Sequence, residues 1–142
     1  MKAYKNDEII KQKVMLKVEK HLEAGEVIQR FFWKNGKGCC IGCVAETSIE
    51  PHEKLLELYE IPLQISQFAD KIFEMLSPED SKVFFKEFYS SIQTGSDFSG
   101  VKEKFLIRLL GRVKKHANEE TKEIIDELIK LYEMTIKGEK VE

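Results

Sequence analysis

The sequence predicts an all-α protein: one domain over residues 1–142, built as a bundle of about six helices with a glycine- and cysteine-rich loop after the first of them. Three observations carry that expectation. Apolar residues recur at spacings of three and four in most segments. Pro, Gly and Ser/Asp/Asn punctuation falls where helices start and stop. No stretch alternates apolar and polar residues for a useful strand length. The 142 residues suit a single core, and no internal repeat or compositional break divides them.

The first helix is expected after Asp7 as cap. Ile10, Val14, Val18 and Leu22 fall four apart, and Gly25 stands where a left-handed C-terminal residue is wanted. His21, late in this helix, reads as a surface residue favourable to the helix dipole, as does His116 near Lys114 and Lys115. The following E-V-I-Q-R-F-F-W fits either a short helix or an extended run into the loop.

Beyond the loop, Pro51 suits the first turn of P-H-E-K-L-L-E-L-Y-E, where its missing N–H has no partner to lose. Pro62 closes that segment by disfavouring helical geometry at Ile61. Ile65, Phe68, Ala69, Ile72 and Leu76 then form an apolar stripe. Ser77-Pro78-Glu79-Asp80 reads as cap, first turn and acid, opening a helix with Phe84, Phe85, Phe88, Tyr89 and Ile92 on one face and Thr94-Gly95 at its end.

Asp97 or Ser99 can cap the next helix, whose Phe105, Leu106, Leu109, Leu110 and Val113 make it the candidate for a central, largely buried element. Gly111 inside it costs about 1 kcal/mol against Ala, which suggests a close helix crossing or a kink. Asn118, followed by Glu119 and Glu120, starts the last helix. Its inner face is expected from Ile124, Leu128, Leu131, Tyr132 and Ile136, with Gly138 at its end and E-K-V-E as a frayed tail.

Composition narrows function. An apolar fraction of 42% with nine Phe suits a folded globule. Net charge is −2, and Arg occurs only at Arg30, Arg108 and Arg112, so nucleic acid is not an expected partner. The N-terminal M-K-A-Y-K-N-D-E-I-I-K has no apolar signal core, and no apolar run nears the roughly 18 residues of a membrane span. With three cysteines, an odd number, free thiols and a cytoplasmic location are expected.

All three cysteines lie in W-K-N-G-K-G-C-C-I-G-C, residues 33–43. Asn35-Gly36 and Lys37-Gly38 favour turns with positive φ, and a helix is expected to begin at or near Cys39. Free N–H groups there, with Lys34 and Lys37, would lower a thiol pKa. In a thiol redox site, Cys39 or Cys40 attacks, Cys43 resolves and Lys37 stabilises the thiolate. Certain all-helical peroxidase-partner enzymes also place C-x-x-C on a helix, but follow it with a His where this chain has Thr47.

In a zinc site, Cys40 and Cys43 need further ligands: His52 first, then His21, Cys39 or Glu46. No cofactor is otherwise expected. An anion cradle lacks the G-x-x-x-x-G-K-[ST] order. The plain alternative is packing, since Cys and Gly are small and readily buried. Glu57 and Glu60 stand three apart and Asp70 and Glu74 four apart; two such pairs on neighbouring helices could build a carboxylate metal site, but E-x-x-H spacing is missing and they read as a solvated face.

Residues 31–101 resemble a small family of uncharacterised bacterial and phage-associated proteins. The matching stretches are W-K-N-G-K-G-C-C-I-G-C, L-Y-E-I-P at 58–62, D-K-I-F-E-M-L at 70–76 and I-Q-T-G-S-D-F-S at 92–99. The distinctive part is W-x-N-G-K-G-C-x-x-x-C, and the resemblance implies that Cys39 and Cys43 form the recurring pair. That family carries no established activity. The functional expectations are therefore a thiol redox or ligand site at 33–43, a non-enzymatic helical interaction or regulatory module, or a structural zinc site. The partners expected are another protein, or a small thiol or anion.

Overall fold

In the computed structural model, residues 1–138 are described, apart from the side chains of Lys102, Phe105, Leu109 and Arg112. The chain is all-α, as its periodicity predicts, and it forms two compact units, Met1–Asp97 and Phe98–Glu142.

In the first unit, α1 spans Glu8–Glu23, and the Asp7 carboxylate accepts the Ile9 N–H at 2.9 Å. Val14 and Val18 are buried as expected. The third buried position of α1 is His21, not Leu22, so the surface assignment of His21 is corrected. Its ring meets Trp33 edge-on at 5.5 Å, and its Nδ1 lies 3.2 Å from Glu26 Oε1.

The ambiguous stretch after Gly25 runs extended. Val27 bridges Gly38, and a small antiparallel hairpin pairs β1, Trp33–Lys34, with β2, Lys37–Gly38. Asn35 and Gly36 turn it with φ of 54° and 75°, the left-handed pair that suits strand twist. Lys37-Gly38 is strand instead of the second expected turn.

The helix expected at Cys39 starts later and is short: α2 covers Gly42–Ala45. Then come α3, Pro51–Tyr59, and α4, Leu63–Met75, with Pro51 at the start of the first and Pro62 capping the second. The expected inner stripe of α4 is rotated. Ser66, Ala69 and Phe73 are buried, while Phe68 is exposed. The polar Ser66 is accommodated because its hydroxyl donates to Leu63 O and pairs with His52 Nδ1. In α5, Pro78–Ser91, Ser77 caps through the Asp80 N–H, and Phe85 and Tyr89 fill the core.

α1 packs against α5 and α2, and α3 against α4. The chain start closes this unit. Lys2 bridges Asp97, Ala3 and Tyr4 are fully buried, and the Tyr4 hydroxyl donates to Tyr89 O at 2.7 Å.

The second unit pairs α6, Val101–Lys114, with α7, Glu119–Ile136. Gly100, with φ of 73°, holds the N-cap position of α6, not Asp97 or Ser99. None of the described side chains of α6 is fully buried, and Val113 is exposed, so the expectation of a central buried helix is corrected for them. Phe105 and Leu109, counted in that expectation, lie outside the described side chains. No described atom approaches a Cβ built at Gly111, so no close crossing explains that glycine. Asn118 caps α7 through the Thr121 N–H at 2.8 Å. The inner face of α7 turns on Ile125, which is buried, while Ile124, Leu128 and Leu131 face solvent. The E-K-V-E tail lies outside the described residues.

Candidate functional site

The cysteine loop is fixed by its backbone. The Gly38 N–H donates to Glu26 O and the Ile28 N–H to Gly38 O, so the segment after Gly25 and the hairpin share one ladder. The Cys39 N–H is spent on Phe31 O at 2.9 Å. Gly38 and Gly42 both press on the Phe32 carbonyl, and a Cβ at either would land on it. Two of the three loop glycines are therefore there for space, and Gly36 for its positive φ.

The thiols behind this backbone are buried, with Cys39 at 1% and Cys40 and Cys43 at 0% exposure. Cys43 Sγ donates to Gly38 O at 3.2 Å. The Tyr89 hydroxyl donates to Cys40 O at 2.6 Å, tying the loop to α5. Burial pushes the Cys40 thiol well up, with the adjacent Cys39 thiol adding to the effect and Asp70 and Glu74 acting at longer range. Burial likewise pushes Cys43 up to about 12, helped by Cys39, while hydrogen bonding with the Gly38 backbone acts downward.

The expected depression of these two thiol pKa values is thus corrected. Cys39 and Cys40 precede α2, which is a single turn, and Lys37 and Lys34 lie exposed on the hairpin. The Lys34 ammonium sits 5.2 Å over the Phe31 ring. Desolvation exceeds whatever a four-residue helix and exposed ammonium groups supply.

The expected metal ligands are placed as follows. His52 is half-buried, bonded to Ser66 Oγ at 2.8 Å and edge-on to Phe32, and burial lowers its pKa. Glu46 pairs with the Lys17 ammonium at 2.9 Å. Burial acts upward on the Glu46 carboxyl, and Lys17 outweighs it, holding the group below the usual range. Among the described residues, the metal-ligating atoms brought within 4.8 Å of one another are those of Cys39, Asp70 and Glu74. Cys40, Cys43 and His52 do not form such a group. Both oxygens of Glu74 accept the Arg30 N–H at 3.0 Å.

No protein family, curated protein or solved structure matches this chain. Its chemistry therefore rests on its own atoms. Cys40 and Cys43 in this loop are fully buried, and burial raises the pKa of both thiols. Sequence spacing did not single out the meeting of Cys39 with α4, although the four-apart Asp70 and Glu74 are its visible trace.

A second candidate surface lies on α7. Ile124, Leu128 and Leu131 are 54%, 38% and 41% exposed, one line of apolar side chains at spacings of four and three. Exposed Glu120, Glu123 and Glu127 border it on one side, and none has an ion-pair partner among the described residues. Among those residues no helix is long and apolar enough to cross a membrane.

Proposed function

We propose that this chain is a non-enzymatic helical interaction module, and that α7 receives an amphipathic helix carrying basic residues beside its apolar face. The observation behind this reading is the exposed line Ile124, Leu128 and Leu131. Single exposed apolar residues are ordinary, but three in helical register match the way one helix lies along another. The acidic border supplies the charge preference: it attracts a basic flank, repels an acidic one and speeds encounter.

The cysteine loop supports the same reading from the other direction. Two of its thiols are held protonated and all three are buried, which suits a scaffold better than a nucleophile. Free thiols suit a reducing compartment, the cytoplasm being the simplest.

A labelled synthetic helix with leucines at i, i+3, i+4 and i+7 and lysines beside them tests the proposal by fluorescence anisotropy against the full chain. Saturable binding is expected, weakened at least about tenfold by Leu128→Glu, a change of about 1.4 kcal/mol, and weakened by salt. Equal binding by L128E, or by a peptide with glutamates in place of the lysines, would overturn it.

A further inference from the structure

Asp70 and Glu74 stand one turn apart on α4, so their carboxylates leave the same face of the helix. Cys39 comes to that face from the loop, and its Sγ and one oxygen of each carboxylate lie within 4.8 Å of one another. The thiol is almost fully buried, yet among the described residues it finds no carbonyl acceptor of the kind that holds Cys43. Neither carboxylate has an ion-pair partner among those residues. Two carboxylates and a buried sulfur, whose hydrogen bond is to the adjacent Cys40 thiol, are thus gathered with no cationic side chain paired to either carboxylate among the described residues.

We propose that Cys39, Asp70 and Glu74 bind one divalent cation of the zinc class. The donor set selects the metal. A sulfur ligand disfavours magnesium and calcium, which take oxygen almost exclusively, and two carboxylates suit a borderline ion such as Zn²⁺ or Co²⁺. Zinc bonds of about 2.3 Å to sulfur and about 2.0 Å to oxygen in a tetrahedron place S and O roughly 3.5 Å apart. The cluster therefore closes by no more than about 1.5 Å on binding, a movement within reach of the carboxylate rotamers.

Asp70 is half-exposed and Glu74 exposed, so the ion enters from the α4 side, while the loop holds the sulfur on the core side. The Arg30 N–H bonded to Glu74 fixes that carboxylate's approach. Binding exchanges one S–H bond for one metal–sulfur bond, and the proton is released to solvent. Three protein ligands leave one position for water.

The test uses the full-length chain, reduced with a phosphine, and Co²⁺ followed by Zn²⁺ as probes. One equivalent of Co²⁺ is expected to give a near-ultraviolet sulfur-to-cobalt charge-transfer band with the visible bands of tetrahedral cobalt, all erased by one equivalent of Zn²⁺ and untouched by excess Mg²⁺. Cys39→Ser abolishes the charge-transfer band. Asp70→Asn and Glu74→Gln, isosteric changes at solvent-accessible positions, each weaken Zn²⁺ binding at least about tenfold, which keeps the test decisive if the buried serine variant fails to fold. Absence of the charge-transfer band in the wild type, its persistence in C39S, or wild-type zinc affinity in both carboxylate variants overturns the site and assigns any residual binding to other donors such as the exposed His116.

Discussion

At the scale of single residues, two glycines that look alike in the sequence behave in opposite ways. Gly42 lies against the Phe32 carbonyl, with no room for a methyl group, and the obstacle is backbone that cannot rotate away. Gly42→Ala is expected to lower stability by about 3 kcal/mol or more, by overpacking. Gly111 sits inside α6 with open space where a Cβ would go. Gly111→Ala is expected to raise stability by about 0.5–1 kcal/mol through helix propensity alone. Paired urea titrations check both, and equal effects would refute the contrast. Nothing local distinguishes the two positions. What separates them is Phe32, ten residues before Gly42 and brought there by the hairpin.

At the scale of elements, the loop and α5 are joined through Tyr89, whose hydroxyl donates to Cys40 O and whose own carbonyl receives Tyr4. Tyr89→Phe removes one donor and leaves a buried carbonyl unsatisfied, at a cost of about 1–3 kcal/mol. The same variant is expected to speed reaction of the cysteines with an aromatic disulfide at neutral pH, since wild-type thiols react only through opening of the fold. Rapid labelling of all three thiols in the native wild type would contradict their burial. The helix ends were legible in the sequence because capping is local: Asp7, Ser77 and Asn118 each bond an N–H within three residues. The buried faces of α4 and α7 were less so. Ser66 is buried because His52 and Leu63 O satisfy it, and Ile125 displaces Ile124 by one position. Periodicity finds a stripe, but neighbours choose which edge of it goes inside. The candidate site was half legible: the cysteine cluster announced itself, but its convergence with Asp70 and Glu74 depends on how loop and helix pack.

At the scale of the whole molecule, the titrating groups set a pH window. Cys40, Cys43, Tyr4 and Tyr89 all have pKa values raised mainly by burial. For an acid raised in the folded state, the protonated form is the one the fold accommodates. Stability is then full below the unfolded thiol pKa of about 8.5 and falls as pH rises toward the folded value, which for Cys43 is about 12. His52 behaves in the opposite sense. Its pKa is lowered by burial, so stability falls as pH drops below the unfolded histidine value of about 6.5. The lowered Glu46 carboxyl adds a further loss at lower pH, as its bond to Lys17 is given up. Denaturant midpoints are expected to be flat between about pH 6.5 and about pH 8.5 and to decline on both sides, by at most about 1.4 kcal/mol per pH unit for each group. No decline between about pH 9 and about pH 10.5 would contradict thiol burial.

The bridge between Lys2 and Asp97 has a topological consequence. It brings the two ends of residues 1–97 side by side, so a short peptide could splice them into a circle without disturbing what lies between. Such a circle can be opened afresh at the exposed bend 48–50, giving a permuted order of the same helices. Tyr4, now interior to the polypeptide, would keep its place beneath Tyr89.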